Sequence, residues 1–101
     1  MKTIKQKMAL VGSLQVELHL PLAQSLKDKR SALKSIKDQV RNRFNVSVIE
    51  IDSNVKWQRA SIGIAAIGVD RQAVHNLLDS VLQWLRFSRF VEVINVEEEI
   101  C

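Results

Sequence analysis

At 101 residues, 47% of them apolar, the chain is the size of one domain with one core, and a single proline and three glycines argue against disordered linkers. Its only cysteine, Cys101, excludes an intramolecular disulfide; with no second cysteine, and with His19 and His75 far apart in sequence, a zinc site is excluded too. The net charge of +4 is uneven: residues 25–44 carry seven basic and two acidic side chains (+5), whereas residues 71–101 carry three basic and five acidic ones (−2).

Lys2, Lys5 and Lys7 precede an apolar stretch that Gln15, Glu17 and His19 interrupt. That stretch is neither a signal peptide nor the roughly 20 apolar residues of a membrane span, so a cytoplasmic location is expected. From Met8 to Leu20 the pattern alternates. Met8, Leu10, Leu14, Val16, Leu18 and Leu20 share one face with Gly12, which predicts a long, half-buried strand. Pro21, lacking an N–H, ends its pairing.

Ser25 then caps a helix, with Asp28 placed to reach back as the acid of a capping box. Leu26, Leu33, Ile36, Val40 and Phe44 recur at helical spacing, and Asn45 suits a left-handed C-cap. The β-branched run 46–51 predicts a second strand, and Asp52-Ser53-Asn54 a turn. A third strand over 58–69 places Ala60, Ile62, Ile64 and Ala66 on one face and pairs with the second as a hairpin. Asp70 caps a second helix whose buried stripe is Val74, Leu77, Leu78, Val81 and Leu85. A fourth strand over 90–96 precedes an acidic tail, Glu97-Glu98-Glu99. The order βαββαβ with right-handed crossovers predicts an α+β, ferredoxin-like fold: a four-stranded antiparallel sheet with two helices on one face.

The first helix carries the most informative surface. Lys27, Arg30, Lys34, Lys37 and Arg41 fall within roughly 80° of its circumference and span about 21 Å, a row able to follow several phosphates. Lys29 is added to the expected nucleic-acid contacts. The competing explanation is a solvated flank whose long stems cover the core edge, with Asp38 the acid nearest the row. The open sheet face, with Ser13, Gln15, Arg59, Ser61 and Gly63, lacks the aromatics of a base-stacking RNA sheet. Its small residues allow close approach of a second copy, so this face and Trp57 form the alternative, a homodimer or protein interface; Trp57 is equally a core lid.

Catalytic constellations are absent from the sequence. There is no Gly-rich phosphate loop, Cys101 has no local histidine, and the His19/Glu17 pair fits polar residues on an open sheet face. No catalytic residue, metal, cofactor or small-molecule substrate is expected.

Three segments in order, Ser25-Leu26-Lys27-Asp28-Lys29-Arg30, Phe44-Asn45-Val46-Ser47-Val48 and Trp57-Gln58-Arg59-Ala60, resemble the YlxP-like family of small bacterial proteins, a domain of unknown function. The resemblance covers nearly the whole chain and implies a ferredoxin-like fold. Genes of the family often lie near those for translation initiation factor two and ribosome-binding factor A, which implies rRNA or a ribosomal subunit as partner. Many relatives carry an acidic residue two positions before the tryptophan, where this chain has Val55.

Overall fold

The computed structural model describes residues 9–51 and 58–101. The expected first residue of the opening strand, Met8, the turn at Asp52-Ser53-Asn54 and the side chain of Trp57 lie outside the described residues. The elements are β1 (Leu10–His19), α1 (Leu26–Arg43), β2 (Ser47–Glu50), β3 (Arg59–Gly68), α2 (Arg71–Phe87) and β4 (Glu92–Ile100).

They form one antiparallel sheet of order β2-β3-β1-β4, so the two long strands with the strongest alternation, β1 and β3, are central. This is the ferredoxin-like βαββαβ arrangement. Leu14, Val16, Leu18 and Leu20 of β1 and Ala60, Ile62, Ile64 and Ala66 of β3 are buried together with Leu33, Ile36 and Val40 of α1 and Val74, Leu78, Val81 and Leu85 of α2. Both helices therefore cover the same sheet face, and a period of two meets a period of 3.6 in one core.

Local signals account for most boundaries. Ser25 Oγ accepts the Asp28 N–H at 3.1 Å, and Asp28 Oδ2 accepts the Gln24 N–H at 3.0 Å, one residue earlier than a standard capping box would place it. Asp70 Oδ1 accepts the Ala73 N–H at 2.8 Å.

Three expectations are corrected. Asn45 is not a left-handed cap: no non-glycine residue among those described has positive φ, and α1 ends at an extended Phe44, whose carbonyl accepts the Val46 N–H at 2.9 Å in the short bend before β2. Leu26 is exposed rather than part of the buried stripe. Glu97-Glu98-Glu99 is no tail; it lies inside β4, opposite Gln15, Leu14 and Ser13 of β1. Pairing with a central strand satisfies its backbone, and alternation sends Glu98 to the helix side and the other two to the open face.

Candidate binding surfaces

The basic row of α1 separates into two groups. Lys37 Nζ meets Glu50 Oε2 of β2 at 3.1 Å, and Arg41 Nη2 donates to the Val48 carbonyl at 2.8 Å. The backbone of Ile51 bonds to Ser61, so pairing alternates and Val48, opposite Ile64, points its own carbonyl away from β3. Arg41 thus covers a carbonyl on the free edge of the sheet. Arg41 also lies 3.8 Å from Asp38, which Lys34 approaches at 3.2 Å in an exposed i,i+4 pair. Lys27 and Arg30 are exposed and make no ion pair among the described residues.

Lys29 does not join the row. It is 6% exposed. Four residues before Leu33 and seven before Ile36, it falls within the apolar stripe of the helix. The flank open to solvent is therefore Lys27, Arg30 and Lys34, with Lys37 and Arg41 turned towards β2. Glu50, distant in sequence, is the acid that counting along the helix missed.

The open sheet face holds Ser13, Gln15, Arg59, Ser61 and Gly63 as the alternation required. It is not bare. Arg59 Nη1 reaches Glu17 Oε1 at 3.0 Å, and His19 Nδ1 lies 2.9 Å from Glu92 Oε1. Ile49 and Ile51 lie over Gly63, whose added Cβ would stand 3.3 Å from each. The small residue thus accommodates neighbours within the chain. With Glu97 and Glu99 along β4, the face grades from apolar to acidic.

One apolar feature was not anticipated. A groove of about 530 Å³ runs between α1 and the end of α2. One wall is α1, with Asp28, Ser31, Ala32, Ser35 and Gln39; the other is Trp84, Phe87, Ser88, Arg89 and Phe90; Leu20, Leu22 and Ala23 close the end. Phe87 is 86% exposed, Leu22 67% and Phe90 62%. Local bonds set these positions. Gln58 Nε2 holds the Ala23 carbonyl at 3.3 Å, fixing the loop that carries Leu22, and Ser88 Oγ accepts the Phe90 N–H at 3.3 Å. The Arg43 guanidinium stands 5.6 Å from the Trp84 ring centroid, bridging the two helices. A signal was available: three of the five aromatic residues, Trp84, Phe87 and Phe90, fall within seven positions.

The groove offers apolar and hydroxyl surface rather than acid–base chemistry. Its carboxylate, Asp28, is engaged as a helix cap, and Ser35 Oγ accepts from Gln39 Nε2 at 3.1 Å. Among the described residues no three His, Cys, Asp or Glu side chains converge as a metal site, and no helix is long and apolar enough to cross a membrane.

Known proteins bear on this arrangement in two ways. Residues 11–98 match the family described as "Protein of unknown function (DUF503)". A Bacillus subtilis (strain 168) protein described as "Uncharacterized protein YlxP" is 41% identical over 76 residues, covering 75% of this chain and 83% of that protein. With nearly all of β1 to β4 inside the matched span, and the basic helix and the groove walls with it, the chain belongs to the DUF503 family of YlxP-like proteins.

Proposed function

We propose that the chain is a non-enzymatic binding module of the cytoplasm that engages a protein partner through the α1/α2 groove. The observation carrying this reading is the exposure of Phe87, Phe90 and Leu22 around the half-buried Trp84. Large apolar side chains left in water beside a concave apolar wall have the composition of interface anchors. The open sheet face also exposes apolar side chains, Val11, Ile49, Ile51 and Ile67, but shares them with the Glu17–Arg59 and His19–Glu92 pairs, whereas no ion pair among the described residues crosses the groove.

A second reading has its own observation. Lys27, Arg30 and Lys34 stand on the flank of α1 away from the groove, and the first two lack an acidic partner among the described residues. That row suits a polyanion, with rRNA on a ribosomal subunit as its natural form. Contacts to phosphate would position the chain without reading sequence.

One experiment separates the readings. A photo-crosslinking side chain is introduced in place of Phe90, and separately in place of Lys34, and the cells are irradiated. Adducts at position 90 that resist nuclease and are destroyed by protease are expected. Absence of adducts at position 90 rejects the groove; nuclease-sensitive adducts at position 34 in that case transfer the function to the basic flank.

A further inference from the structure

The two walls of the groove differ in a way that fits them to each other. The α1 wall carries small residues, Ser31, Ala32 and Ser35, between Asp28 and Gln39 and beside Ile36, whereas the opposite wall, from the end of α2 onward, carries the aromatics Trp84, Phe87 and Phe90. An acid, Asp28, stands on the first wall and a base, Arg89, on the second. The elements run antiparallel along the groove, so the start of α1 and the residues following α2 lie at the same end of the sheet, next to the Leu20–Ala23 loop.

We propose that the occupant of the groove is a second copy of this chain, related by a two-fold axis parallel to the groove. This rests on the groove being a protein-binding surface. Rotation about such an axis lays the aromatic wall of each copy on the small-residue wall of the other. It also sets Asp28 of each copy opposite Arg89 of its partner, so that the same ion pair forms twice. A two-fold interface requires a patch that is its own complement. Large against small and acid against base, on opposite walls of one groove, satisfy that requirement.

Area agrees with this assignment. Fractional exposures of 86% and 62% leave Phe87 and Phe90 with roughly 300 Å² in water between them, taking about 200 Å² for each side chain. That is more than a third of the roughly 800 Å² that each partner contributes to a standard interface. Leu22 and the small-residue wall extend the same patch. The alternative surface for a second copy, the open sheet face, sets Glu92, Glu97 and Glu99 along one side. Arg59 and His19 there are already engaged with Glu17 and Glu92.

Sedimentation equilibrium of the full chain between micromolar and several hundred micromolar tests the proposal. A monomer–dimer equilibrium is expected. Phe87→Ser should raise the dissociation constant at least 30-fold with an unchanged circular dichroism spectrum, because Phe87 faces water in the single copy. Arg89→Asp should weaken the dimer about tenfold, and Arg89→Lys should retain it. A chain that is monomeric throughout this range overturns the two-fold assignment, as does a dimer indifferent to both Phe87→Ser and Arg89→Asp. The broader reading is tested separately: crosslinks from position 90 to other proteins, formed by a monomeric chain, would leave the groove as a binding site and remove only the second copy.

Discussion

A methyl group at position 12 would have nowhere to go. Gly12 lies where α2 comes closest to β1, and an added Cβ would overlap Val74 Cγ1 and press on Leu78 Cδ1 at 3.0 Å. Its φ is not positive, so the constraint is packing rather than backbone conformation. Gly12→Ala should therefore destabilise the fold by about 1–3 kcal/mol through overpacking, read from urea denaturation. Gly63→Ala is the control. Its Cβ would meet only the exposed side chains of Ile49 and Ile51 at 3.3 Å, which can turn aside, so the change should stay within about 1 kcal/mol. The alternating pattern placed both glycines in strands on known faces, yet nothing in sequence distinguished the crowded one from the tolerant one. Lys29 is the opposite case. Its angular position already put it among Leu33, Ile36 and Val40, and treating it as a phosphate contact followed its charge instead of its place on the helix.

Each helix covers the free edge of the strand that follows it. Arg41 and Lys37 of α1 serve Val48 and Glu50 of β2. In the second half, Arg71 Nη2 donates to the Ile100 carbonyl at 3.3 Å, and His75 Nδ1 lies 2.9 Å from Glu98 Oε2 of β4. Val11 and Cys101 exchange both backbone bonds, so Ile100, the next residue, points its carbonyl outward. The match is metric: four helical residues rise about 6 Å and two strand residues about 6.6 Å, so side chains at i and i+4 meet strand positions two apart. Unpaired edges invite pairing with other chains, and charged cover counters this. Arg41→Ala should lower stability by about 1–2 kcal/mol through the lost charged hydrogen bond, whereas Lys34→Ala, which breaks only an exposed pair, should change it by less than about 0.5 kcal/mol. The double variant Arg41→Ala, Arg71→Ala should aggregate faster than wild type in light scattering at equal concentration. Equal behaviour of Arg41→Ala and Lys34→Ala in denaturation would return the two cations to the solvent-facing row.

At the scale of the whole molecule the surfaces are segregated. Basic charge lies on one flank of α1, the apolar groove on the other, and acidic side chains line β4. If the basic flank holds RNA, the three outward cations limit the contacts to about three, giving a log–log salt slope near −2 for a single strand. Replacing Lys27, Arg30 and Lys34 with glutamine should flatten that slope in a filter-binding titration. A slope unchanged in the folded triple variant would dismiss the flank as the contact. The choice differs from one made along the helix alone, because Lys37 is committed to Glu50. What the sequence by itself determined was the order of elements, the inward faces of the two long strands β1 and β3, both helix N-caps and the family, since these depend on neighbours within a turn or two and on motifs read in order. The tertiary structure alone decided that Glu50 and Val48 take up Lys37 and Arg41, that the glutamate run joins β4, and that α1 and the end of α2 part to leave Phe87 and Phe90 in water. Those outcomes rest on pairs distant along the chain, whose meeting follows from strand register and helix packing rather than from any local preference.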